Sequence, residues 1–198
     1  GNIKSINHVL DSWGPNVARL FCLSGHYSKP IDYTEDLLKE NLIKLRQIET
    51  CYYELRLAEQ KEPSEDISSL LVESREKLDA ALNDDFNTPL GLSIFFNMIK
   101  TINNFAADEK ITKEMAMQAL PVLDYMLDVL GIKLQTVSDE EIESIFDLIN
   151  KRETLRARKQ FEEADKIRDQ IAGLGISLID HKNKTLWMKK EPIKAEMQ

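Results

Sequence analysis

The sequence predicts a mainly α protein, in which a helical bundle is followed by a small mixed α/β domain with a two-stranded hairpin. Apolar residues recur at three- and four-residue steps over most of the chain, which is the period of helices that are buried on one face. Residues that start and stop helices separate these segments. Near the carboxyl end, ISLID and TLWMK are short extended runs around HKNK, a pattern typical of a hairpin.

The first half of the chain contains signals for three helices. Pro15 suits the first position of a helix, because the N–H that it lacks would have no partner there. SKPIDYTED is predicted to be extended up to Thr34, whose hydroxyl can cap a long helix that reaches about Gln60. The polar stretch KEPSED then separates this helix from the next one.

The second half contains further start signals. Thr88 is predicted to cap a helix that Pro89 opens, and another helix is expected over 112–131. Ser138 and Glu141 have the spacing of a capping box, so a helix is expected to begin at 139. These breaks predict a connector over 1–33, a helical bundle over 34–137, a second domain over 138–190 and a tail over 191–198.

The composition indicates a soluble globular chain, with 42% hydrophobic and 30% charged residues. No apolar run approaches the roughly 18 residues that a membrane span needs. There is no basic-then-apolar leader at the start, so we expect a cytoplasmic protein that makes no membrane contact. We also expect a monomer. Cys22 and Cys51 lie in apolar helical patterns and are expected to be packed thiols in a reducing compartment.

Charge is distributed unevenly along the chain. Residues 1–150 contain 14 Lys and Arg against 26 Asp and Glu, whereas residues 151–190 contain 11 against 6. An acidic body therefore precedes a basic end. Such a segment is either a solvated helical face or the contact surface for an anionic partner such as RNA, since clustered cations attract phosphate whatever the distant net charge.

A helical wheel of 158–176 separates two rows of side chains. The apolar row is predicted to be buried and consists of Ala164, Ile167, Ile171 and Leu174. Beside it Phe161, Asp165 and Arg168 share one edge. This edge is either a core margin with a surface ion pair between Asp165 and Arg168 or Arg158, or a platform on which an unpaired nucleotide stacks.

Three stretches in this order resemble the carboxy-terminal part of cysteinyl-tRNA synthetases. They are NVARLFCLSGHYSKPIDYTEDLL, LNDDFNTPLGLSIFFNMI and LRARKQFEEADKIRDQIAGLGISLIDHKNKTLW. The resemblance covers essentially residues 1–190. It implies an anticodon-binding type of helical domain, cysteine tRNA as the partner, and recognition of its GCA anticodon.

The resemblance also implies site residues. Anticodon contacts are expected from Arg156, Phe161, Asp165, Asp180 and Trp187. Contacts to the tRNA backbone are expected from Arg152, Arg158, Lys159 and Arg168. Trp187 has an alternative role as the core anchor of the hairpin.

The resemblance further implies that the ATP-binding catalytic domain, with its zinc ligands, lies upstream of this chain. His8, His26 and His181 are scattered without second ligands, so no metal site is expected here. Asp84 and Asp85 are expected to cap a helix or bond a loop rather than act as acid and base. The fragment alone is therefore expected to be inactive, without catalytic residues or a cofactor of its own.

Two other functions remain open at this stage. The chain could be a free-standing helical adaptor, which would bind tRNA no better than any polyanion. It could also derive from a related cysteine ligase that acts on a small thiol-bearing sugar, although such relatives look truncated at the anticodon end, which this chain retains.

Overall fold

The computed structural model describes residues 4–62, 65–180 and 185–196. The chain folds into two units, Gly1–Lys133 with Ile193–Gln198, and Leu134–Pro192. The boundary at 134 lies close to the predicted boundary at 138. Residues 1–33, predicted to be a connector, are part of the same unit as the bundle. No helix in the described ranges is both long enough and apolar enough to cross a bilayer.

The first unit is a helical bundle. Its helices are α1 (Ile6–Leu23), α2 (Glu35–Arg56), α3 (Ser68–Asn83), α4 (Thr88–Ala107) and α5 (Lys113–Leu130), and a short 3-10 helix (Lys194–Glu196) follows late in the chain. The core contains side chains that are almost fully buried on α2, α4 and α5, among them Leu45, Ile48, Phe95, Met98, Leu123 and Met126. The helical period of the apolar residues therefore predicted the buried faces.

Several predicted helix starts are confirmed by hydrogen bonds. The Thr34 hydroxyl accepts from the Leu37 N–H at 3.2 Å, so α2 begins where expected. Thr112 caps α5, and Gly131 ends that helix in the left-handed conformation with φ 68°. These caps satisfy N–H and C=O groups that have no partner within the helix.

Two helix starts and one helix end differ from the prediction. The Ser5 hydroxyl caps a first helical segment that ends where Gly14 has φ 77°, and Pro15 then opens the second segment of α1. Asn87, rather than Thr88, caps α4, because its side-chain oxygen reaches the Leu90 N–H at 3.2 Å. The helix predicted to reach about residue 60 ends at 56.

The last described residues belong to the first unit rather than to a separate tail. Ile193 is 2% exposed, and the Nε and Nη2 groups of Arg46 donate to the Glu196 carboxylate. A second carboxylate, that of Glu49, accepts from the same guanidinium at 2.7 Å. The chain thus returns to the bundle after it has formed the second unit.

The second unit combines two helices with a hairpin. Its elements are α6 (Asp139–Ala157), α7 (Phe161–Gly173), β1 (Ile176–Asp180) and β2 (Thr185–Lys189). The capping box predicted for α6 is present, with Ser138 and Glu141 bonded in both directions. The strands pair antiparallel from Ile176 with Lys189 to Asp180 with Thr185, which confirms the hairpin. Its turn, 181–184, including His181, lies outside the described residues.

Candidate nucleic-acid interface

A tight connection joins α6 to α7 and exposes a row of cations. The Lys159 N–H donates to the Arg156 carbonyl at 2.9 Å, and the Gln160 N–H donates to the Leu155 carbonyl at 2.9 Å. This is the Schellman arrangement, in which one residue adopts the left-handed conformation that favours glycine. Here that residue is Lys159, with φ 61°.

The left-handed backbone conformation of Lys159 leads to a prediction about stability. Replacing Lys159 with Gly or with Ala removes the same charge, but only Gly relieves the backbone strain. We expect the free energy of unfolding of the Gly variant to be about 1 kcal/mol higher than that of the Ala variant. Urea denaturation followed by circular dichroism measures both. Equal stabilities of the two variants would show that the connection has another conformation in solution.

The predicted edge of α7 lies on the surface. Phe161 is the first residue of the helix, and its side chain is 59% exposed. Asp165 and Arg168 follow at one-turn spacing, and both are exposed. A ring, a carboxylate and a guanidinium therefore share one edge, as the wheel predicts, and the structure shows that this edge is accessible.

The buried row of α7 agrees with the prediction except at its end. Ala164, Ile167 and Ile171 are buried, whereas Leu174 is 52% exposed. The reason is that α7 ends at Gly173, so Leu174 no longer follows the angular period of the helix. The buried side chains fix which face of α7 packs and which face remains open.

The ion-pair alternative for this edge does not form. Across the described ranges, the side chains of Asp165, Arg158 and Arg168 take part in no hydrogen bond or ion pair. An exposed aromatic ring would lose water by stacking on a base, and an ionised carboxylate can only accept hydrogen bonds. The edge therefore offers a flat surface and an acceptor to a ligand.

Cations border this edge on the α6 side. Arg156 is exposed in the last turn of α6, and Arg158 and Lys159 are exposed in the connection. Further exposed cations, which the sequence did not single out, are Lys151 and Lys166. Their only signal in the sequence is the local excess of Lys and Arg. These exposed cations can attract an anionic ligand, although the carboxylates of Glu162 and Glu163 are also exposed in the first turn of α7.

Arg152 is too buried to contact the backbone of a tRNA. The residue is 1% exposed, and its Nη1 donates to the Glu153 Oε1 at 2.7 Å. It lies on the packed side of α6, where its aliphatic stem contributes to burial. Arg152 therefore has a structural role and not the expected contact with a phosphate. The local sequence could not reveal this burial, because the cations around Arg152 are all exposed.

Trp187 is the core anchor of the hairpin rather than a surface for stacking. Its side chain is 0% exposed, and its ring meets that of Phe146 edge-on at 6.1 Å and 85°. Its neighbours Leu186 and Met188 are also buried, so both faces of β2 are covered. The anticodon contact that the resemblance implies for Trp187 is therefore corrected, and its alternative role holds.

Asp180 ends β1, and its backbone pairs with that of Thr185. Its side chain, like the turn that follows it, lies outside what the structure describes. The contact expected of Asp180 stays a prediction.

Asp85 bonds a loop in the first unit, as expected. It has φ 51°, and its carboxylate accepts from the Tyr27 hydroxyl at 2.6 Å. This hydrogen bond, together with the nearby negative charge, raises the pKa of Tyr27. His26 Nε2 lies 3.1 Å from the Asp85 carbonyl oxygen. Among the described residues, no three His, Cys, Asp or Glu side chains are grouped so that they could hold a metal ion.

Comparison with known proteins gives a consistent family. Residues 77–135, from the end of α3 through α5, match the DALR domain family. Over 187 residues, or 91% of its length, the chain is 32% identical to a cysteine–tRNA ligase of Caldicellulosiruptor saccharolyticus and covers 40% of that protein. It is 35% identical to one of Shewanella denitrificans and 33% identical to one of a Geobacillus species, in each case over 96% of the chain and 41% of the relative.

A helical bundle with a DALR domain, followed by a unit of two helices and a hairpin, places the chain in the class of helical domains found in aminoacyl-tRNA synthetases. Over nearly all of its length, the chain is homologous to part of the cysteine–tRNA ligases. The chain spans about two fifths of the length of these relatives. The resemblance seen in the sequence is thereby confirmed.

Proposed function

We propose that this chain binds tRNA and that its second unit reads the GCA anticodon of cysteine tRNA. The observation that carries the proposal is the open edge of α7, where Phe161, Asp165 and Arg168 are all exposed. The homology to cysteine–tRNA ligases supports the choice of tRNA over other anionic partners. The exposed cations beside the edge supply the attraction that a phosphate backbone requires.

The edge and the cations have different tasks in this proposal. Phe161 stacks on an unpaired base, which contributes about 1–3 kcal/mol and tolerates any base. Asp165 accepts hydrogen bonds from the amino or imino groups of a base edge. A base without such a donor leaves the carboxylate desolvated, at a cost of about 1–3 kcal/mol. Arg156 can donate two parallel hydrogen bonds to a base edge or clamp a phosphate, because its guanidinium is planar.

Sequence-independent attraction comes from Arg158, Lys159 and Arg168. These side chains are exposed and suit contact with phosphate oxygens, which position the RNA without selecting its sequence. Their contribution falls as salt rises, because binding releases the counterions of the RNA. Asp180 is proposed as a second acceptor for base edges, next to the turn of the hairpin.

The proposal extends to the protein of which this chain is homologous to a part. That protein is proposed to be a class I cysteine–tRNA ligase that uses ATP to charge its tRNA in the cytoplasm. ATP and zinc, which the resemblance implies for the whole protein, are proposed to bind in the region of the relatives that this chain does not cover. The chain alone is proposed to be a catalytically inactive monomer that binds tRNA.

Filter binding with two tRNA transcripts tests the proposal. One transcript carries the GCA anticodon of cysteine tRNA, and the other carries a substituted anticodon. We expect tighter binding of the first, and we expect Asp165→Asn to reduce this preference about tenfold because an amide no longer offers two acceptors. Asp169→Asn is the matched control, since Asp169 is also exposed on α7.

The dependence on salt separates the two tasks. Asp165→Asn should leave the slope of log affinity against log salt unchanged, whereas Arg158→Gln should reduce it by about one unit or less. Equal retention of both transcripts by the unaltered chain would reject anticodon reading and favour a helical adaptor. No binding of either transcript would favour a ligase that acts on a small molecule.

A further inference from the structure

Glu153 connects α6 to the hairpin. Its Oε1 accepts from Nη1 of the buried Arg152 at 2.7 Å and from the Thr185 hydroxyl at 3.3 Å. Thr185 is the first residue of β2, and its backbone pairs with that of Asp180 in the last pair before the turn. One carboxylate oxygen therefore receives a hydrogen bond from a helix and another from the turn end of the hairpin.

The buried arginine restricts the position of this carboxylate. A guanidinium that is removed from water needs a negative partner, because an uncompensated buried charge is costly. Glu153 is 49% exposed, yet rotating away from Arg152 would weaken that compensation. Arg152 thus holds the Glu153 carboxylate in place independently of Thr185. A carboxylate that is fixed in this way determines where the Thr185 hydroxyl must lie to donate to it.

We propose that Glu153 and Thr185 are positioning residues of the tRNA site. The inference rests on the proposed function and extends it to residues that would not themselves touch the anticodon. By fixing the start of β2 against α6, the hydrogen bond holds the turn end of the hairpin, where Asp180 ends β1. This end then keeps one position relative to the adjoining ends of α6 and α7, which contain Arg156 and Phe161. Base choice then depends on the distance between these two parts of the second unit.

Thr185→Val tests the inference, because valine keeps the shape of threonine and removes only the hydroxyl. We expect the preference of this variant for the GCA transcript to fall about fivefold, which corresponds to the loss of one hydrogen bond. Its melting temperature should change little. Thr185→Ser should restore the preference. Glu153→Gln keeps an acceptor but loses the charge that pairs with Arg152, and it should lose preference by a similar factor.

Thr154→Val is the matched control. The Thr154 hydroxyl is exposed on α6 and donates within the helix to the Asn150 carbonyl at 2.9 Å, so it connects no second element. We expect its preference for the GCA transcript to equal that of the unaltered chain. The measurement for each variant is the ratio of affinities for the two transcripts at one salt concentration, together with a thermal melt.

The outcomes separate failure of the inference from failure of the proposed function. If the unaltered chain prefers the GCA transcript and Thr185→Val keeps the full preference, the positioning role is overturned while anticodon reading stands. Equal losses in Thr185→Val and Thr154→Val would overturn it as well, since the effect would not depend on the contact with Glu153. If the unaltered chain shows no preference, the proposed function fails and the inference fails with it.

Discussion

Trp187→Ala is expected to lower the free energy of unfolding of the second unit by about 3–5 kcal/mol, the usual cost of deleting a buried aromatic side chain. The ring is fully buried in β2 and contacts Phe146 of α6 edge-on. Within the part of the second unit that the structure describes, two helices and two strands surround its core. A loss of this size is therefore expected to unfold much of the unit at moderate temperature.

Phe161→Ala is the control for this prediction. Phe161 is also aromatic and lies in the same unit, but it is 59% exposed, so its removal should change the free energy of unfolding by about 0.5 kcal/mol or less. Urea denaturation followed by circular dichroism measures both variants. Similar losses for the two would contradict the roles assigned here, with Trp187 as the core anchor and Phe161 as the accessible ring.

Arg46→Met is expected to destabilise the first unit by about 3 kcal/mol, because it removes the guanidinium that neutralises a buried carboxylate. Glu49 is 1% exposed and accepts from Arg46 at 2.7 Å. Burial lowers the pKa of Arg46, but the hydrogen bonds to Glu196 and Glu49 outweigh this effect and raise it. Arg46 therefore stays charged at every ordinary pH.

Glu196→Gln tests the other half of this cluster. The side chain of Glu196 is 38% exposed, so losing its charge should cost only about 0.5–1 kcal/mol. The comparison by urea denaturation distinguishes the buried from the exposed partner of the same arginine. Equal losses in Arg46→Met and Glu196→Gln would mean that Glu49 does not depend on Arg46 for its stability in the core.

Local signals in the sequence predicted most of the secondary structure. Thr34, Thr112 and the pair Ser138 and Glu141 were readable because a cap involves only residues within one turn of each other. Asn87 shows the limit of such reading. Asn and Thr are both good caps and stand side by side, so only the backbone conformation decided which side chain reached the free N–H.

Some features of the candidate site were likewise predictable from the sequence, and others were not. The angular period of a single helix placed Phe161, Asp165 and Arg168 on one edge, so the sequence predicted which residues share it. Whether that edge is a core margin or an open surface was decided by the structure, in which Phe161 is 59% exposed. The burial of Arg152 did not follow, because several cations lie close together on α6 and its pattern does not show which of them faces the packed side. Trp187 likewise had two possible roles until the hairpin was seen against Phe146.

The sequence by itself determined the mainly α class, most helix boundaries, the hairpin and the set of residues that share the edge of α7. These features depend on residues near one another in the chain, where the geometry of one helix or turn is sufficient. Only the tertiary structure decided that Arg152 and Trp187 are buried, that Glu196 binds Arg46, and that Glu153 bonds to Thr185. Each of these contacts depends on how separate elements pack, because packing determines which side chains lose water and which partners they meet.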